Sequence, residues 1–391
     1  MNPAYYHLDD LSHEGINRFL SNLVDNTLAD LEEAQCINVD ATTGEVEPLT
    51  LGRIASYYYL DYTTVMMFAD SIGDGMAVPE VLVVLTQATE FEEVPVRHNE
   101  DKLNAELCEH VRMKDQLRLS SMDSPHTKTQ LLLQAHFDSL PLPISDYYTD
   151  VKMVLDQTIR VVQAMVDVAA DAGWLQTTLS CMSLIQMVVQ AKWHDASTLA
   201  TLPHIDDNKV GMFQQAGIDC IPELVEMLRA GGPQSKRVAH MLQSSGLSKS
   251  DAAQMCSTAL SLPLINVGWS MQSDVLDLGE EAEIEIKIRL KRVNRSLKVH
   301  APNFPKPKSE GHWLVLGCPA QGELLALKRV VVRNISETSL TFYSDDLEPT
   351  PGPTVLSLYL ISDSYLGLDQ QYTIPVVLTG ERRTESEDES E

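Results

Sequence analysis

Between Tyr148 and Trp174 a narrow polar line runs through an apolar stretch: Asp156 and Gln157, then Arg160, Gln163 and Asp167. Steps of three and four place these side chains on one face of a helix. The remaining residues, among them Val154, Leu155, Val161, Val162, Met165 and Val168, spread round most of the circumference. A helix apolar on most sides is buried among other helices. A charged line in such a place is either paired or looks into a wet channel. Two chemistries follow. Arg160 closes a buried ion pair with Asp156 or Asp167. Alternatively, its guanidinium lines a pore and meets the backbone or base face of a nucleic acid, with Gln157 and Gln163 as neutral hydrogen-bonding neighbours.

Other polar clusters are weaker candidates. Arg97-His98-Asn99-Glu100 reads as a helix start, with Glu100 favoured near the positive end. Ser124-Pro125-His126-Thr127-Lys128 is similar, with Lys128 free to reach a phosphate or simply water. Arg97 and Lys128 are therefore kept only as secondary candidates for nucleic-acid contact. Arg53, beside three tyrosines, reads as a packing and hydrogen-bond anchor. Lys287, Arg289, Lys291, Arg292, Arg295 and Lys298 form a basic strand face. That face is either a solvated edge protected from pairing or a docking surface for an acidic partner, with Lys287, Arg289, Lys291 and Arg292 as its contacts. His126, His136, His194 and His204 lack ligand spacing, and no Cys-x-x-Cys pair occurs, so no metal site is expected. There is no phosphate loop, no Gly-x-Ser-x-Gly elbow and no His-Glu-x-x-His pair, so no catalytic activity is expected.

The elements that must position these residues change character along the chain. About seven helical segments with short connections predict a bundle over 1–205, with the long helix at 149–172. Thr50 to Phe68 reads as one helix, and 36–48 as a hairpin turning at Thr43-Gly44. Residues 206–262 read as a helix-loop-helix module, with helices at 218–228, 236–243 and 249–261. After Pro263 the period drops to two: Ile284, Ile286, Ile288 and Leu290 alternate with Glu285, Lys287, Arg289 and Lys291. About seven strands at sandwich-like spacing fill 263–380. The acidic, serine-containing tail, 381–391, is expected to be disordered.

The 391 residues carry a formal charge of −27. Phosphate attraction supplies most general nucleic-acid affinity, so this balance argues against a tight binder of nucleic acid at large. Residues 281–333 run the other way, with eleven Lys and Arg against five Glu. No apolar run approaches the ~20 residues of a membrane helix, and no signal peptide is seen, so no membrane is expected. Six scattered cysteines fit reduced thiols in an intracellular protein, nuclear or cytoplasmic.

Several collinear blocks resemble one family. They are Asn2-Pro3-Ala4-Tyr5-Tyr6, Leu51-Gly52-Arg53-Ile54-Ala55-Ser56-Tyr57-Tyr58-Tyr59, Pro95-Val96-Arg97-His98-Asn99-Glu100, Ser124-Pro125-His126-Thr127-Lys128, Leu202-Pro203-His204-Ile205, Leu264-Ile265-Asn266-Val267, and Ser362 through Gln370. Together they resemble the Sec-63 homology unit of Ski-two-like helicases. The resemblance implies a multidomain α-then-β chain: a helical bundle, a helix-loop-helix module and an immunoglobulin- or fibronectin-type-III-like sandwich. It also implies that the long helix is the family's ratchet helix, which touches the strand pulled through the motor. The family's arginine falls on Arg160 and its polar neighbour one turn before on Gln157. The motor domains and winged helix that precede the unit have no expected counterpart here. ATP and magnesium therefore belong only to those absent motors, and the chain, a fragment or partial product, cannot unwind alone. Expected partners are helicase motor domains in cis, a single strand of RNA or DNA held weakly, and other subunits of a helicase complex. Two functions remain: a non-catalytic unit lining a strand exit channel, or a platform for partner proteins without nucleic-acid contact.

Overall fold

The long helix predicted at 149–172 forms over Ser145–Asp171 and is the axis of the helical unit. Its Val154, Leu155, Val161, Val162, Met165 and Val166 are almost fully buried. In the computed structural model, residues 5, 8, 10–278, 282–294, 296–349 and 354–380 are described, without the side chain of Asp207. Asn2, Pro3, Ala4 and Tyr6 of the opening block, Arg295 and the 381–391 tail lie outside the described residues.

Helix α1 (His13–Glu33) starts where Ser12 accepts from the Gly15 amide at 3.0 Å. None of its residues is buried, although Ile16, Phe19, Leu20, Leu23 and Val24 keep a helical apolar spacing. Strands β1 (Ile37–Val39) and β2 (Val46–Pro48) form the expected hairpin. The Asp40 carboxylate accepts the Thr42 and Thr43 amides, and Gly44 takes φ +69° at the turn. The single helix expected over 50–68 is two: α2 (Thr50–Tyr58) and α3 (Tyr62–Ser71). Tyr59 adopts the left-handed region and Asp61 caps α3, so the chain breaks without a glycine or proline.

Helices α4 (Val78–Thr86), α5 (Glu100–Cys108), the short α6 (Lys114–Leu117), α7 (Pro125–Phe137), α8 (Ser145–Asp171) and α9 (Leu175–Gln190) complete the bundle. α8 packs against α2, α3, α4, α7 and α9. The following module has four helices rather than three: α10 (Asp207–Gln215), α11 (Ile221–Ala230), α12 (Gly232–Ser244) and α13 (Lys249–Ser261).

The β unit is two sheets. One has the order β4-β10-β9-β6-β7 and the other β3-β5-β8. The strands are β3 (Ile265–Met271), β4 (Val275–Asp277), β5 (Glu283–Arg292), β6 (His312–Cys318), β7 (Glu323–Val330), β8 (Ile335–Tyr343), β9 (Thr354–Ser362) and β10 (Gln370–Thr379). All seven expected strands form, and β4, only three residues long, is added beside β10 in parallel. Ile286, Ile288 and Leu290 of one sheet share a core with Leu314, Leu358 and Ile374 of the other. The opposite face of β6 and β9, through Trp313, Val315 and Ile361, joins the helical core instead. This explains why every residue of β6 is buried: the strand is covered on both sides. The α8–α9 corner is tied to the β6–β7 turn by backbone bonds, Leu175 N to Gly322 O at 3.0 Å and Leu324 N to Gly173 O at 2.7 Å.

Candidate nucleic-acid interface

The break between α2 and α3 creates the partner of the polar line. A helix end leaves carbonyls without an intrahelical donor, and α2 ends against α8. Arg160 Nη1 donates to Tyr58 O at 3.0 Å and to Tyr59 O. Its Nε and Nη2 donate to Gln157 Oε1 at 2.8 and 2.5 Å. All these acceptors are neutral. They satisfy four of the five guanidinium N–H groups without cancelling the charge. The half-buried Arg160 thus has no carboxylate partner among the described residues, and the same-helix ion pair that the spacing allowed does not form.

The two acids turn elsewhere. Asp156 bridges to Lys306 at 3.0 Å. Asp167 bridges to Arg329 at 2.7 Å and accepts the Tyr58 hydroxyl at 2.7 Å. Burial, the bond to Asp167 and that carboxylate's charge together push the Tyr58 phenol above its ordinary range. Both ends of the polar line are therefore clamped to the β unit, about 16 Å apart at the helical rise. Gln157, Arg160 and Gln163 lie between the clamps. Gln163 is half-buried, and its amide has no hydrogen-bond partner among the described residues.

Two residues that the sequence reading did not single out flank this stretch. Tyr57 and Tyr59 are 76% and 90% exposed beside the carbonyls that hold Arg160. The signal available was the run of three tyrosines, of which only Tyr58 can face inward on a helix. Arg53, expected as an anchor, is exposed and makes no side-chain hydrogen bond among the described residues.

The secondary candidates are structural. Lys128 is fully buried and cannot reach a phosphate. Its Nζ donates to Glu100 Oε2 at 2.6 Å, Asp150 Oδ2 at 2.7 Å and Pro95 O at 2.7 Å, and lies 4.4 Å from the centre of the Tyr147 ring. Arg97 joins the same network through Glu100 at 2.9 Å and Asp150 at 2.8 Å. Burial pushes both acids up, but hydrogen bonds from Lys128 and Arg97 outweigh it and hold them below the usual carboxylate range. Two cations and two acids, with α5, α7 and α8 each contributing, lock the first turns of the long helix.

On the basic strand, Lys287, Arg289 and Lys291 are exposed as expected. Arg292 is not. Its side chain is wholly buried and clasps Glu310 at 2.5 and 2.9 Å. The reason is parity: even-numbered positions of β5 face the core, and 292 is even. Lys287 and Arg289, with Lys328, border a groove of about 700 Å³ on the outer face of the smaller sheet, while Trp269 packs inward on the β core. Two are internally balanced, Lys287 by Glu285 at 3.8 Å and Arg289 by Glu337 at 3.4 Å.

His126 and His136 bond to backbone carbonyls of Thr86 and Val188. The six cysteines are free, and burial pushes the Cys181 thiol up to about 12. No helix of the described residues is long and apolar enough to cross a membrane.

A long buried helix that carries one arginine among neutral acceptors is followed along the chain by a small helical module and a two-sheet unit. Residues 48–375 match the Sec63 Brl domain, and the chain belongs to that family. Residues 1–41 match a winged helix-turn-helix domain, which corrects the expectation that no part of one is present. The chain is 40% identical over 96% of its length to activating signal cointegrator 1 complex subunit 3 of Gallus gallus, of which it covers 19%. It is 38% identical over 95% of its length to the DExH-box ATP-dependent RNA helicase DExH14 of Arabidopsis thaliana, covering 16%. It is 34% identical over its whole length to the U5 small nuclear ribonucleoprotein 200 kDa helicase of Drosophila melanogaster, covering 18%. The chain thus spans less than a fifth of these relatives. It is a helicase-associated Sec63 unit.

Proposed function

We propose that this chain is the non-catalytic strand-contact unit of a nucleic-acid helicase. Its α8 acts as a ratchet helix lining the exit channel, and Arg160, Gln157 and Gln163 touch the single strand. Arg160 carries this reading: a full charge held at mid-helix by neutral acceptors needs a mobile anion more than a structural role does. The guanidinium is pre-set by Gln157 and the α2 carbonyls, so little ordering is lost when a strand arrives. Stacking and phosphate contact of this kind need no sequence preference. ATP and magnesium would be supplied by motor domains in cis. In a longer chain, the rest of a winged-helix domain would cover the apolar face of α1.

In a helicase carrying this unit, Arg160→Ala is expected to lower unwinding while complex assembly stays unchanged. Normal unwinding by that variant would overturn the reading.

One observation favours a second function. The exposed Lys287, Arg289 and Lys291 on the outer face of β5 suit an acidic protein partner, on a two-sheet unit whose strand order fits an immunoglobulin or fibronectin type III sandwich. Reversing Lys287 and Arg289 to Glu should release partner subunits if that face is a platform. Unaltered assembly would exclude it.

A further inference from the structure

We propose that the groove between the start of α8 and the 302–306 loop is a second strand subsite, where bases of a single-stranded nucleic acid stack on Tyr148 and Phe304. The inference deepens the proposed function and rests on α8 meeting a strand. The groove holds about 660 Å³ and is lined by Tyr148, Val151, Lys152, Leu142, Phe304 and Pro305 among others. That lies within the ~300–1,000 Å³ range of sites that enclose a small ligand. Tyr148 is 55% exposed, an unusual position for a large ring next to an open groove. Phe304 is half-buried, its inner side packed on the helical core. Pro302 and Pro305 fix the loop that carries it, so the ring needs little ordering on binding.

The charge of the rim selects the occupant. In a chain of −27, residues 296–308 contain Lys298, Lys306 and Lys308 and no acid, although Lys306 is paired with Asp156 at 3.0 Å and Lys308 with Asp363 at 2.6 Å. Lys152 is exposed on the α8 side, and Lys306 stands across from it at Asp156. Toward the start of the helix, Asp150 is buried against Lys128 at 2.7 Å and Asp146 lies 3.5 Å from Arg97. Aromatic faces over an apolar floor, with the cation of Lys152 at the edge, is the chemistry that takes unpaired bases and their phosphates. Tyr148, Lys152, Asp156 and Arg160 follow one another at steps of four, the oblique row along a helix surface. From Tyr148 to Arg160 that row covers about 18 Å. A strand leaving Arg160 along the row passes Lys306 and arrives at the groove.

The test uses the whole chain and a fluorescent single-stranded oligouridylate at low salt, with Tyr148→Ala, Phe304→Ala, Tyr148→Phe and Arg160→Ala compared by anisotropy. Thermal unfolding confirms that each variant is folded. Tyr148→Ala and Phe304→Ala should each weaken binding about five- to tenfold, and Tyr148→Phe should restore it. A 5-iodouridine placed in the same oligonucleotide should crosslink to Tyr148 or Phe304. Unchanged affinity in both alanine variants, crosslinks confined elsewhere, or no binding by the wild-type chain would overturn the inference. So would capture of a proline-rich peptide by this groove in competition with the oligonucleotide. If Arg160→Ala alone weakens binding, the groove fails and the strand-contact reading stands. If only the groove variants weaken it, the groove stands and Arg160 is structural.

Discussion

Lys128 and Arg160 are both cations inside a helical bundle, and their partners separate them. Lys128 is neutralised in place by two buried carboxylates, whereas Arg160 is held by an amide and two carbonyls. Taking away Lys128 leaves Glu100 and Asp150 with Arg97 alone, one uncompensated charge in the interior. Lys128→Met should therefore cost about 3–5 kcal/mol at neutral pH by urea unfolding. The pH dependence follows in sign. In the wild type both acids are held below their ordinary range, so their contribution is complete above the unfolded carboxylate pKa and is lost as pH falls through the lower folded value. In the variant an unpaired acid is pushed up instead, and folding takes up a proton. The deficit relative to wild type should shrink as pH falls from 7 toward 5. A deficit that stays constant with pH would mean the carboxylates do not feel the change. Neither partner of Lys128 is close in sequence. Glu100 and Asp150 are 28 and 22 residues away, so residue type and local spacing held no sign of them. Arg292 was misread as an exposed contact, although the alternation that names the core of β5 also names position 292.

Among the elements, α8 and the strands were plain in the sequence because their periods are long and unbroken. The α2–α3 break was not. Nothing in Tyr57-Tyr58-Tyr59 announces a stop, and the left-handed Tyr59 is stabilised by what its carbonyl does for Arg160. A β-carbon in that region is strained by about 1–2 kcal/mol. Tyr59→Gly should therefore raise stability by about 1 kcal/mol, read from the urea midpoint, while the carbonyl keeps its place. If it destabilises instead, the Tyr59 ring is held by contacts worth more than the strain. α10 escaped notice because its nine residues are mostly polar and include a glycine, leaving no apolar stripe to count. The apolar stripe of α1 was read correctly as a helix, but not one of its residues is buried. Periodicity reports a face that seeks a partner, not whether the partner lies in the same chain.

For the whole molecule, a charge of −27 means that any strand contact is local and made against the general field. The clamps Asp156–Lys306 and Asp167–Arg329 fix α8 to the β unit on either side of Arg160. The charge proposed to meet a strand is thus presented by a helix tied at two points rather than by a mobile arm. Binding by this chain should be weak and fall steeply with salt. The most direct test is single-strand affinity measured across a salt series for the wild type and for Arg160→Ala. If one phosphate is met at Arg160, the variant binds more weakly, and the slope of log K against log salt becomes shallower by about 0.7. Superimposable isotherms for the two proteins at every salt concentration would contradict the assignment of α8 as a strand-contacting helix.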